Sequence, residues 1–317
     1  MGMRSPSRST VAATAVGIAA STGVGLLGAR NLLTGQADQV RRVIPKSWDV
    51  PPRADGIYLD DGPARRWQRG TPVDLHLMVF GDSTATGYGC LDAEEVPGVL
   101  LSRGLAQRTG KRIRLSTKAI VGATSKGLSG QVDAMFVAGP PPDAAVIMIG
   151  ANDVTALNGI SQSARRLGDA VRRLQAAGAV VVVGTCPDFG VITAIPQPLR
   201  WVTRDRGLRL ARTQARAVAA AGGIPVPLAD LLASDFRQSP ELMFSADRYH
   251  PSAAGYRLAA QQLLPALCFA LGEPDDELPW QMPAAASRSL GSRLGFLPET
   301  WRRPTTGVPA PVVLTAE

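Results

Sequence analysis

Histidine is almost absent from this sequence: His76 and His250 are the only two in 317 residues, so any imidazole chemistry falls to one of them. Cysteine is nearly as scarce, with Cys90, Cys186 and Cys268 standing far apart. Their spacing forms no metal pattern, and an odd number gives no disulfide framework, leaving room for one bridge at most. Aromatic residues make up 5%, so a core must be built from Ala, Val, Leu and Ile. Lysine is confined to Lys46, Lys111, Lys118 and Lys126, so the net charge of +8 is almost wholly arginine. A basic surface attracts nucleic acid, anionic lipid or acidic polysaccharide. The chain has no zinc-finger spacing, no RNP-like aromatic motif and no heptad array, and no nucleic-acid partner is expected.

Stretches without charge are also few, and Val11–Ala29 stands out as nineteen residues carrying none. Arg4 and Arg8 precede it and Arg30 closes it. A basic start followed by a weakly apolar run is the layout of a signal peptide or an N-terminal anchor. Residues 1–35 are assigned that role, which predicts export to the cell envelope or beyond, with membrane association through residues 11–29 where the segment is kept. Residues 36–72 read as a linker, interrupted by Pro45, Pro51, Pro52, Gly56, Pro63 and Pro72. Residues 273–317, again rich in proline, read as an irregular tail.

Between these lies residues 73–272, where short apolar runs alternate with helical patterns. Val73–Phe80, Ile113–Ile120, Ala144–Ile149, Ala179–Val183 and Ile224–Leu228 have the composition of buried strands. Helical stretches cover Val96–Arg108, Ser161–Ala177, Leu199–Ala221 and Ser252–Leu271. Strand, helix, strand, repeated, predicts a parallel sheet with helices on both faces. In such sheets the chemistry gathers beyond the carboxyl ends of the strands.

The polar motifs fall at those ends. The first strand runs into Gly81-Asp82-Ser83, placing a serine on a tight turn at the start of a helix. The second is followed by Gly122, whose backbone N–H no side chain would screen. The third is followed by Gly150-Ala151-Asn152-Asp153, where Asn152 offers an amide. Together the Ser83 N–H, Gly122 N–H and Asn152 side chain supply donors for a tetrahedral oxyanion. Asp247-Arg248-Tyr249-His250 comes last; Asp247 can curl back to fix the imidazole of His250. Asp82 and Asp153 suit capping or loop bracing, and mid-strand His76 suits a satisfied core position.

These four blocks, in this order, resemble the SGNH (GDSL-like) hydrolase family. The resemblance covers roughly residues 74–272 and implies an α/β, flavodoxin-like three-layer sandwich with a five-stranded parallel sheet of order 2-1-3-4-5. It implies a serine esterase or lipase without metal or cofactor, with Ser83, Asp247 and His250 catalytic and Ser83, Gly122 and Asn152 forming the oxyanion hole. The expected substrate is a small-molecule, lipid or glycan ester. A cell-envelope O-acyltransferase using the same residues, or a catalytically silent anchored domain, are the alternatives.

Overall fold

The computed structural model describes residues 28, 31–39, 50–137 and 139–273. The charge-free N-terminal run, apart from Gly28, and the tail beyond Glu273 lie outside these residues, and the roles assigned to them do as well. No helix among the described residues is long and apolar enough to cross a membrane.

Six strands make one sheet: β1 (Gly56–Tyr58), β2 (Leu75–Gly81), β3 (Ile113–Thr117), β4 (Ala144–Met148), β5 (Val180–Gly184) and β6 (Ile224–Val226). Their order is β1-β3-β2-β4-β5-β6. The pairs β3–β2, β2–β4, β4–β5 and β5–β6 are parallel, whereas β1 lies antiparallel to β3 at the edge. The expectation of five strands is therefore corrected to six. The extra strand comes from the segment read as a linker, where three residues among prolines leave no periodicity to detect. Its backbone is held on both sides, by β3 and by Arg65, with which Ile57 exchanges hydrogen bonds at 2.7 and 3.0 Å; the Tyr58 hydroxyl also donates to the Ala54 carbonyl at 2.6 Å. Counted without β1, the parallel strands stand in the order 2-1-3-4-5.

From residue 83 onward, nine α-helices of the described residues follow in sequence. They are α1 (Ser83–Thr86), α2 (Pro97–Thr109), α3 (Leu128–Val137), α4 (Ala151–Thr155), α5 (Ile160–Ala176), α6 (Leu199–Ala220), α7 (Leu228–Gln238), α8 (Pro240–Met243) and α9 (Ala253–Ala270). Side chains of a strand alternate between faces, and the core divides accordingly. Leu75, Leu77 and Val79 join α2 and α9 in one cluster, while Met78 and Phe80 join α3 and α5 in the other. In β4 both parities are apolar because both faces are covered: Ala144, Val146 and Met148 face one cluster, Ala145 and Ile147 the other. On α5 the buried Ala164, Leu167, Val171 and Leu174 recur at helical spacing. Each fully buried Leu or Val contributes about 1.5–3 kcal/mol.

The helical residues 31–39 are tied to the start of α6. The Gln36 amide donates to the Gln197 carbonyl at 2.6 Å and accepts from the Leu199 N–H at 3.1 Å. Cys90, Cys186 and Cys268 are all buried, and no disulfide joins any of them.

Candidate active site

At the carboxyl end of β2 the backbone must turn sharply beside β4. Gly81 has φ +135°, and a Cβ there would lie 1.8 Å from the Met148 carbonyl oxygen, so only glycine fits. Neighbouring β3 has already ended at Thr117, which leaves the Gly81 N–H without a strand acceptor. Gln131, buried on α3, fills the gap: its amide oxygen accepts the Gly81 N–H and its NH2 donates to the Gly81 carbonyl, both at 2.8 Å. One residue on, the Asp82 N–H donates to the Met148 carbonyl at 3.0 Å. The Asp82 carboxylate caps α1, accepting from the Thr84 N–H at 3.0 Å and the Thr84 hydroxyl at 2.7 Å, and accepts from the Gly150 N–H at 3.3 Å. Burial pushes its pKa up, against the pull of these donors. Ser83 is thus fixed by a clamp before it and a cap around it.

The imidazole arrives from the loop between α8 and α9. His250 Nε2 lies 3.0 Å from the Ser83 hydroxyl oxygen, and His250 Nδ1 lies 2.6 Å from an Asp247 carboxylate oxygen. These partners assign the ring proton to Nδ1, leaving Nε2 to accept from the serine hydroxyl. The other Asp247 oxygen accepts from the Ser245 hydroxyl and the Tyr249 and His250 N–H groups at 2.8–2.9 Å. Burial works to raise the Asp247 pKa, but the His250 ring and the Tyr249 and His250 N–H groups win and hold it at about 2. The turn closes with Arg248 at φ +55° and the Ser245 N–H bonded to the His250 carbonyl at 2.9 Å. Tyr88 and Tyr249 flank the imidazole, with ring centroids 4.5 and 5.1 Å from it.

Across the site, two residues beyond the end of β4, Gly150 has φ +139° and abuts Gln214. The buried Gln214 amide donates to the Ile149 carbonyl at 2.9 Å and accepts from the Cys186 N–H at 2.8 Å, locking the ends of β4 and β5 together. Asn152 sits in the first turn of α4 and donates one amide hydrogen to the Ala123 carbonyl at 3.0 Å, which leaves its second hydrogen unused by that bond. Gly122 occupies the exposed turn next to Ala123, with φ +80°. It does not line the cavity that Ser83, Asn152 and His250 share. Asp153 braces the loop: its carboxylate accepts from the Ser125 N–H and from the hydroxyls of Ser125 and Ser163, all at 2.8 Å. His76 stands apart, mid-strand and buried, its Nε2 2.9 Å from the Ser116 hydroxyl. Burial, with the charges of Arg114 and Lys118, lowers its pKa to about 4.

The structure therefore brings Ser83, Asp247, His250 and Asn152 to one place and sets Gly122 on the loop that Asn152 holds. Three positioning residues went unnoticed in the sequence. Gln131 is a polar residue on the apolar stripe of Leu128, Val132 and Met135, and that misplacement was its signal. Tyr88 and Gln214 gave none beyond nearness to a motif and burial on a helix.

From Ser83 a cavity of about 100 Å³ opens between the β5–α6 loop, α7 and α9. Its wall is mostly apolar and includes Met148, Phe189, Ile192, Leu232 and Phe236. A serine hydroxyl paired with an imidazole beside an apolar cavity is equipped for acyl transfer. Among the described residues no cluster of three or more His, Cys, Asp or Glu is arranged to hold a metal ion.

Residues 79–258 match the GDSL-like lipase/acylhydrolase family. A GDSL-like esterase of Mycobacterium tuberculosis is 66% identical over 304 residues, spanning 94% of this chain and 96% of its own. Among solved structures, phospholipase A1 from Streptomyces albidoflavus is 19% identical, with a TM-score of 0.48, covering 62% of this chain and 99% of its own. Axe2, an acetylxylan esterase from Geobacillus stearothermophilus, is also 19% identical, with a TM-score of 0.45, covering 62% and 94%.

Proposed function

The chain belongs to the GDSL-like lipase/acylhydrolase family and is a serine ester hydrolase, and we propose that Ser83 is its nucleophile, His250 its base and Asp247 the support of that base. The observation that carries the assignment is the continuous relay from the Ser83 hydroxyl to His250 at 3.0 Å and from His250 to Asp247 at 2.6 Å. Its framework, as we infer it, is flavodoxin-like, with β1 added at the edge of the five parallel strands.

In the reaction, His250 Nε2 takes the hydroxyl proton as Ser83 Oγ bonds to the ester carbonyl carbon. The carbonyl oxygen gains the displaced electron pair and is held by the Ser83 N–H and the second Asn152 amide hydrogen, with the Gly122 N–H, on the loop that Asn152 anchors outside the cavity wall, as the third donor once substrate is bound. Collapse breaks the bond to the alcohol oxygen, which leaves with the proton from His250. Water then attacks the acyl-serine, gives a proton to His250, and the acid departs as that proton returns to Ser83. Asp247, held ionised near pKa 2, stabilises the imidazolium formed in both halves. The apolar cavity is suited to the acyl group of an aliphatic ester, and the esterase relative favours water over a sugar or lipid hydroxyl as second acceptor. Export to the cell envelope remains part of this reading, resting on the charge-free run at residues 11–29.

The test is a p-nitrophenyl ester series from acetate to decanoate with wild type and Ser83→Ala. The wild type should prefer an acyl chain longer than acetyl, and Ser83→Ala should hydrolyse none. Retained hydrolysis by folded Ser83→Ala would remove this mechanism.

A further inference from the structure

Ten large apolar side chains are strongly exposed among the described residues, and single exposed leucines are ordinary on any surface. Their placement is not. Leu91, Ile120, Leu157, Trp201 and Leu242 all stand on segments at the carboxyl edge of the sheet, the edge onto which the catalytic cavity opens. Four of them are tied to the site by the chain. Leu91 follows Tyr88, which packs on His250, and Gly89 lies against Ser245 of the His250 loop. Ile120 donates its N–H to the Gly81 carbonyl at 3.1 Å, two residues before Gly122. Leu157 follows the α4 turn that carries Asn152. The Leu242 carbonyl accepts from the Ser252 hydroxyl at the start of α9.

Two of these are exposed to an extent that folding does not reward: Leu91 at 95% and Leu157 at 71%. Leu157 also has φ +56°, a left-handed conformation in which Asn or Gly would be less strained. The described N-terminal helix reaches the same edge, since Gln36 bonds to Gln197 and Leu199 beside Trp201, and Leu32 on that helix is exposed as well. The charge-free residues 11–29 lead into it. Charges on this edge are of both signs, with Lys126, Arg200 and Arg248 set against Asp92, Glu94 and Glu241, so the edge is not built for charge attraction.

We propose that this edge docks on a lipid surface through Leu91, Ile120, Leu157, Trp201 and Leu242, so that esters held in the lipid enter the cavity from the membrane side. The proposal rests on Ser83 as the nucleophile. It accounts for large apolar side chains left exposed on segments beside a polar catalytic centre, and for the described helical residues 31–39 bonding to the chain near Trp201. Apolar side chains inserted into the headgroup region bind in proportion to the area they bury.

The test compares full-length wild type with the triple variant Leu91→Asp, Leu157→Asn, Leu242→Asp on two substrates. One is soluble p-nitrophenyl butyrate, and the other is p-nitrophenyl decanoate embedded in phosphatidylcholine vesicles. The variant should keep its rate on the soluble ester within about twofold and lose about tenfold or more on the vesicle-borne ester. The wild-type vesicle rate should hold as salt is raised. Equal retention of both rates by the variant would overturn the docking surface, and so would a vesicle rate that collapses in salt. A folded wild type inactive on the soluble ester would instead defeat the catalytic assignment, which separates the two failures.

Discussion

Replacing Gln131 by methionine isolates the clamp that holds the turn before Ser83. Methionine nearly matches glutamine in length and volume, so the substitution opens little cavity in the cluster around Leu128, Val132 and Met135. What it removes is a pair of 2.8 Å hydrogen bonds to the two backbone groups of Gly81. The carbonyl keeps a partner, because the Ile120 N–H donates to it at 3.1 Å. The Gly81 N–H keeps none, since β3 stops short of it and Gln131 supplies its acceptor. An orphaned buried donor costs about 1–3 kcal/mol. For a domain of this size that is a fall in Tm of roughly 2–4 °C per kcal/mol. Ser83 lies two residues beyond Gly81, and misplacing a nucleophile by an ångström costs on the order of a hundredfold. Urea unfolding should thus show Gln131→Met about 2 kcal/mol less stable, and steady-state kinetics should show kcat down by about tenfold or more with KM little changed. A loss of stability below about 0.5 kcal/mol together with an unaltered kcat would refute the reasoning, because the clamp would then hold nothing.

Asn152→Ala should lower kcat by about 10²–10³, the usual cost of one oxyanion donor, measured on p-nitrophenyl butyrate; a change under threefold would take Asn152 out of that role. Acid stability should report His76. Burial lowers its pKa from 6.5 to about 4, so between those values the unfolded chain binds a proton that the folded chain refuses. Stability should fall as pH drops from 7 towards 4, by up to about 3 kcal/mol from this group, and His76→Gln should flatten that slope in urea titrations. Asp247, held near 2 from its usual 3.8, stabilises the fold above about pH 4, and that contribution is lost only as pH falls towards 2. A scan of Asp247→Asn against wild type below pH 4 checks it by the narrowing of their difference.

The alternation of the domain was legible because both-face burial leaves an unbroken apolar strand such as β4, and one-face burial leaves a helical stripe such as that of α5. The helices α3 and α7 and the strand β1 were not. In α3, Gly130 and the Gly127 just before it break up the helical pattern, and in β1 only three residues pair. The extra strand is set by what surrounds it, the Arg65 backbone and the free edge of β3, rather than by its own composition. At the site, the chemically distinctive residues could be read as candidates because a lone His in a polar loop and a Ser after a buried strand are unusual. Their supports could not. Gln131 and Gln214 act through backbone groups of other elements, 50 and 65 residues away in sequence, and no local pattern encodes that reach. The exposed apolar side chains at the carboxyl edge likewise come together only once five segments distant in sequence are brought to one edge.

The most direct measurement of the central claim is covalent. A fluorophosphonate incubated with the full chain should add once, and peptide mass spectrometry should place the adduct on Ser83. His250→Ala should slow its formation strongly if, as proposed, the 3.0 Å contact with His250 makes the Ser83 hydroxyl reactive. An adduct on any other residue, or equal labelling of a folded His250→Ala variant, would contradict the account.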